Sequence, residues 1–171
     1  MDTLLQLLSS LSIPFQRFDH PAVFTCEESD KICQPMPGAH TKQLLLRSKK
    51  KDKHVLLIVM HDKRVDTRAL AKEYGVQSFS FASAELLKEL LGVEPGSVTP
   101  FGLMFDKNHI VEVVVDEDAW NVGQFRFHPL INTATLIVDR VGFEAFAKHT
   151  GHAFTVRTIP QRTVEPAAAE L

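Results

Sequence analysis

Thr41-Lys42-Gln43-Leu44-Leu45-Leu46-Arg47-Ser48-Lys49-Lys50-Lys51-Asp52-Lys53-His54-Val55-Leu56-Leu57-Ile58-Val59-Met60 is two apolar runs, 41–47 and 54–60, on either side of a lysine-rich turn. Short apolar runs bounded by turn residues are a hairpin signal. Downstream, Asp66 caps a helix that runs through Tyr74 with Leu70 facing inward, and Gly75 stops it. Ser83 caps a second helix, where Leu86, Leu87, Leu90 and Leu91 form one apolar face before Gly92. Residues 110–115 and 133–138, rich in Val, Ile and Thr, read as strands. A helix over 143–149 ends at Gly151, and a last strand runs 154–159. Upstream, leucines at helical spacing predict an amphipathic helix over 3–11, and residues 15–20 alternate as a short strand. Thr25 before Glu27-Glu28 reads as a helix start, and Pro35, Pro37 and Gly38 as a loop. Helices and strands are interspersed without the strict alternation of a doubly wound sheet. The expected class is α+β: a single compact domain over 1–160, a twisted mixed sheet flanked by helices, with 161–171 a frayed tail.

Composition narrows the function. The 171 residues are 44% hydrophobic and 23% charged with a net charge of −2, ordinary for a globular domain and unlike a polycation. The longest strongly apolar run, Val55 to Met60, is far short of a membrane span. Met1-Asp2-Thr3 lacks a basic leader, so a cytoplasmic protein with no membrane association is expected. Cys26 and Cys33 read as free thiols. The eight histidines lack paired ligand spacing, so neither a metal nor another cofactor is expected. Asp116-Glu117-Asp118 reads as a solvated turn after a strand. No helix-turn-helix with a basic recognition helix is visible.

Three segments hold the chemistry: His40-Thr41-Lys42-Gln43, Gly96-Ser97-Val98-Thr99-Pro100-Phe101-Gly102-Leu103 and Phe127-His128-Pro129-Leu130-Ile131-Asn132-Thr133-Ala134-Thr135. Together they read as the walls of one small polar pocket. Gly96 and Gly102 permit unusual backbone shapes and Pro100 stiffens the loop between them, so the segment can present main-chain groups to a ligand. It lacks the Gly-Lys-Ser/Thr ending of a phosphate loop, and its plain alternative is a tight turn. His128, held extended before Pro129, binds a ligand or handles a proton beside Asn132 and Thr133; otherwise it bonds the backbone at a strand end. Lys42 leads into an apolar strand. It is either a cation aimed into a pocket or a lysine snorkelling at the strand edge. Arg47, Lys49, Lys50 and Lys51 are either a solvated turn or a phosphate-contacting edge.

These motifs, with His20-Pro21-Ala22-Val23-Phe24-Thr25, resemble the free-standing prolyl-tRNA editing domains, aminoacyl-tRNA deacylases of the YbaK/ProX type, from about Leu4 to Arg157. The resemblance implies hydrolysis of the ester between a wrong amino acid and the 3′ ribose of tRNA. The subgroup most similar to this chain acts on alanine mischarged onto proline tRNA. It implies catalytic roles for Lys42, Gly102 and His128, and an amino-acid and ester pocket formed by Thr41, Gln43, Ser97, Thr99, Pro100, Phe101, Phe127, Asn132 and Thr133. Arg47 and Lys49–Lys51 would meet tRNA phosphates, and prolyl-tRNA synthetase is a further partner. The family usually carries Asn after the lysine, where this chain has Gln43, so serine, threonine or cysteine esters stay open as substrates. A module that binds aminoacyl-tRNA or a synthetase without turnover is the rival class.

Overall fold

Ser48 closes the hairpin. Its Oγ accepts from the main-chain N–H groups of Asp52 (3.2 Å) and Lys53 (3.1 Å) and donates to Asp52 Oδ1 (2.6 Å). The structure is a computed structural model that describes residues 1–22 and 36–162. Cys26, Cys33, the helix start at Thr25 and the segment 163–171 lie outside the described residues. In chain order the elements are α1 (Asp2–Ser10), β1 (Gln16–Asp19), β2 (Thr41–Ser48), β3 (His54–Met60), α2 (Thr67–Glu73), β4 (Phe79–Phe81), α3 (Ala84–Leu91), a 3-10 helix (Pro100–Met104), β5 (Val111–Asp116), α4 (Glu117–Val122), β6 (Gln124–Phe127), β7 (Ala134–Asp139), α5 (Arg140–Thr150) and β8 (Phe154–Arg157).

The strands form two sheets, in the orders β4-β2-β3-β5-β8 and β1-β7-β6. β2 pairs antiparallel with β3 and β4, while β3, β5 and β8 run parallel. β7 pairs antiparallel with both β1 and β6. A parallel bridge at Ala39 and Phe125 joins the sheets, through Ala39 N–H to Gln124 O (2.8 Å) and Arg126 N–H to Ala39 O (3.2 Å). Gly38 makes this approach possible: its φ is +83°, and an added Cβ would meet Gln124 atoms at 3.2–3.3 Å. The Arg126 guanidinium grips the same segment through the carbonyls of Met36 and Pro37.

Strand alternation sorts the side chains of β2 and β3 into two cores, and Ile137 of β7 turns away from the main one to meet Met36 and Phe18. Leu45 of β2 packs in the main one with Phe125, Phe127, Leu136, Val138 and residues of α1, α3 and α5. Leu46, Val55, Leu57 and Val59 fill a second against Leu70 and Ala71 of α2. Helix ends follow the capping residues. Asp66 Oδ1 accepts from Arg68 and Ala69, and Ser83 Oγ from Leu86. Asp139 Oδ1 accepts from Gly142 (2.7 Å), which starts α5 three residues before the expected 143.

The acidic run is not a solvated turn. Asp116 is 0% exposed, and its carboxylate receives the Lys63 ammonium at 2.7 and 2.8 Å and the Ile159 N–H at 3.1 Å. Glu117 and Asp118 then open α4. This pair ties the chain leaving β3 to the ends of β5 and β8. A buried charge tolerates loss of its partner poorly, so Lys63→Met should lower unfolding free energy by about 3–5 kcal/mol. Urea denaturation followed by circular dichroism measures this. A loss under about 1 kcal/mol would show that the pair carries little of the stability.

Candidate functional site

The chain contains two His-Pro dipeptides, His20-Pro21 and His128-Pro129. Each follows directly on a strand, β1 and β6 respectively, and both strands flank β7 antiparallel. Both histidines therefore emerge at the start of β7, one on each side. His20 N–H donates to Thr133 O (3.0 Å), and His20 Nε2 shares a bond with Thr135 Oγ1 (2.9 Å). His20 Nδ1 lies 2.9 Å from Pro21 O and His128 Nδ1 lies 2.9 Å from Ala134 O. A carbonyl only accepts, so each Nδ1 carries the proton. In the neutral ring this leaves His128 Nε2 a bare acceptor, and no described residue bonds to it. The two rings stand 6.1 Å apart. Burial pushes the His128 imidazole below its ordinary pKa of 6.5; the His20 charge adds to that, and the bond to Ala134 opposes it. At neutral pH His128 is thus an uncharged base.

Lys42 lies three residues beyond the sheet junction at Ala39. Paired residues share a face, so alternation forward from the Ala39–Phe125 bridge puts Lys42 and His128, each three residues on, on one common face. That face also carries Thr135 and Arg126, and it is opposite the main core. Thr41 and Gln43 project the other way. Thr41 Oγ1 donates to Arg126 O (3.0 Å) and, with its proton spent, accepts from Gln43 Nε2 (2.7 Å). Thr41 and Gln43 are each only 9% exposed. The four-residue segment His40–Gln43 is therefore a strand that faces two environments, rather than one pocket wall. His40 and His61, on the adjoining turns, stack at 4.1 Å.

The glycine segment serves packing. Thr99, Pro100, Phe101 and Gly102 are buried, and Thr99 Oγ1 caps the 3-10 helix through Phe101 N–H (3.4 Å). Gly96 takes φ +86°, but Gly102 does not need a left-handed backbone. Gly102 is required for space: a Cβ would fall 2.6 Å from both Leu91 Cβ and Leu91 O. Ser97 is buried beside them. Phe101 contacts Phe127 edge-on at 5.7 Å, and both are core residues rather than pocket liners. The segment thus supports the strand that carries His128 from beneath. Asn132 is half-buried and Thr133 exposed in the turn before β7. Arg47 and Lys49–Lys51 lie at the far end of β2, with Arg47 about 17 Å and Lys49 about 23 Å from Lys42 at strand rise. Sequence reading missed His20 as a site residue, although the repeated His-Pro dipeptide was its signal. Among the described residues no group of three His, Cys, Asp or Glu is placed to hold a metal ion, and no helix is long and apolar enough to cross a membrane.

Residues 20–146 match the family model of the aminoacyl-tRNA editing domain. The chain is 38% identical over 151 residues to prolyl-tRNA synthetase associated domain-containing protein 1 of Bos taurus, covering 86% of this chain and 88% of that one. It is 32% identical over 147 residues to the prolyl-tRNA editing protein ProX of Acetoanaerobium sticklandii, covering 86% and 90%. A solved structure described as a candidate trans-editing enzyme for prolyl tRNA synthetase superposes with a TM-score of 0.69 at 20% identity, over 94% of this chain and 96% of that one, which shows a shared fold.

The lowered pKa of His128 sets a sign for stability. Between the folded value and 6.5 the unfolded chain binds the proton more readily, so the stability contributed by neutral His128 is present above pH 6.5 and lost as pH falls below it. Urea unfolding at pH 7.5 and 5.5 should show a smaller acid loss in His128→Gln than in the wild-type chain. Equal losses would place His128 in a solvent-like environment.

Proposed function

Because the chain belongs to the aminoacyl-tRNA editing domain family, we propose that it is a trans-editing hydrolase that removes a wrong amino acid, alanine in the first instance, from proline tRNA. The observation that carries this reading is the common face shared by Lys42 and His128, a cation and a neutral acceptor joined by the Ala39 bridge. The Lys42 ammonium contacts the terminal nucleotide or the ester oxygens and stabilises the developing oxyanion. His128 Nε2 accepts a hydrogen bond from the attacking water or from the substrate ammonium. Water adds to the ester carbonyl, the bond to the ribose oxygen breaks, and the water proton ends on that oxygen. An aminoacyl ester is already activated, so positioning and charge stabilisation suffice without a protein nucleophile. Thr135 bonds His20, but it is only 4% exposed and serves to hold the ring. Gly102 acts through packing, by seating Phe101 under Phe127.

The need for such an enzyme is energetic. A synthetase pocket gains only about 1–3 kcal/mol against an amino acid that lacks a methylene, so a second site must supply the rest of the discrimination. The reaction belongs in the cytoplasm, where tRNA is charged, with prolyl-tRNA synthetase the upstream partner. Gln43, tied to Thr41 on the core side, leaves serine, threonine and cysteine esters as alternatives. The name of the Bos taurus relative favours a second reading, a module that docks with the synthetase without turnover.

Deacylation of alanyl- and seryl-tRNA(Pro), threonyl-tRNA and cysteinyl-tRNA by the purified protein decides between these. Alanine release from proline tRNA above the spontaneous rate is expected, with Lys42→Ala slower by about 100-fold or more. Full activity in Lys42→Ala overturns the role of that residue, and no release from any substrate favours the docking module. Replacing Lys49, Lys50 and Lys51 by Gln should make the slope of log affinity against log salt shallower by about 2–3 if the turn meets phosphates. An unchanged slope removes the turn from the interface.

A further inference from the structure

At the end of the hairpin away from Lys42, the starts of the parallel strands β3, β5 and β8 open on a groove of about 290 Å³. Its floor is fixed. His152 bonds Asp106 Oδ2 (3.1 Å) and Thr150 Oγ1 (3.0 Å), and Asp106 accepts the N–H groups of Ile110 and Val111. His109 stands on this floor with its ring edge-on to His152 at 4.9 Å. Its backbone sits at φ 51°, and its Nε2 lies 2.9 Å from where Gly151 would carry a Cβ. Few side chains fit at that position, and the result is an exposed imidazole beside exposed Ile110. One wall is formed by Asp52 and Lys53, from the lysine turn itself.

The charges of the groove sort by engagement. Asp52 is bonded by Ser48, Glu112 by the Tyr74 hydroxyl (2.6 Å) and Asp106 by His152. Lys53 is the lysine in the groove lining, with Lys49, Lys50 and Lys51 in the adjoining turn and Lys107 outside it; none of them forms an ion pair with any described residue. The groove therefore offers an imidazole platform with Lys53 in its wall, the lysine turn beside it, and the Asp52 and Glu112 carboxylates held by hydroxyl groups. This combination suits a base with its phosphate, since bases stack on histidine and aromatic faces while lysines follow the backbone.

We propose that this groove seats a nucleotide of the bound RNA, with the base over His109 and Ile110 and the phosphate against Lys53 and the lysine turn. The inference rests on the tRNA reading above, and it adds a second anchoring point at Lys53, six residues along β3 from the Val59 partner of Lys42, or about 20 Å at strand rise, a gap that a few extended nucleotides span. The test is binding of uncharged proline tRNA to the full chain across a salt series, for the wild type, Lys53→Gln and His109→Asn. Asparagine keeps the left-handed backbone and removes the ring. Lys53→Gln should make the salt slope shallower by about one. His109→Asn should weaken binding at least about fivefold with the slope unchanged, as expected for lost stacking. Wild-type affinity and slope in both variants overturn the proposal, whether the groove is empty or holds a protein partner. The readout needs no catalysis. Weakened binding in a chain that hydrolyses no ester would uphold the groove and overturn the hydrolase, while unaltered binding in an active chain would overturn the groove alone.

Discussion

Two main-chain hydrogen bonds at Ala39 couple a five-stranded sheet to a three-stranded one, and the candidate site exists only because of them. β2 belongs to the first sheet and supplies Lys42; β6 belongs to the second and delivers His128. Without the junction these residues would sit on separate layers. The sequence supports the junction from both sides. Gly38 gives the close approach to Gln124, and Arg126 holds the carbonyls of Met36 and Pro37. Both converge on one short stretch of β6.

Below this junction the molecule divides its labour. The Gly96–Leu103 segment looks like a ligand loop in sequence because it is rich in Gly, Pro and hydroxyl residues, yet Thr99–Gly102 are buried and serve packing. Thr99 caps a 3-10 helix, and Gly102 admits the backbone of α3. The rings of Phe101, Phe127, Phe125 and Phe143 then form a connected aromatic layer under the strand end that carries His128. Rigid aromatic support of this kind fixes where a polar residue emerges, and that matters when positioning is the main source of rate.

What could be read from sequence follows the range of the interactions involved. The hairpin, α2 and α3 announce themselves through local period and capping residues, and Asp66 and Ser83 cap as expected. β4 and β6, three and four residues long, carry too little period to be seen. Asp116 looked solvated because acidic runs mostly are; its partner, Lys63, is 53 residues away and unmarked by any motif. At the site, Lys42 and His128 were legible as motif residues. Strand alternation, which sends Thr41 and Gln43 to the core side, was also implicit in the sequence, but its direction depends on which sheet face is filled. His20 could have been found from its repeated dipeptide. That both histidines flank one strand start required the β1-β7-β6 order.

β2 also works as a ruler. Lys42 stands at one end and Lys49 just past the other, and the seven residues from Thr41 to Arg47 are held extended by their pairing with β3. Side chains alternate with a period of two, so inserting a single residue between these points would turn one end over to the wrong face. A two-residue insertion in both β2 and β3 would instead keep both faces and lengthen the spacing by about 7 Å.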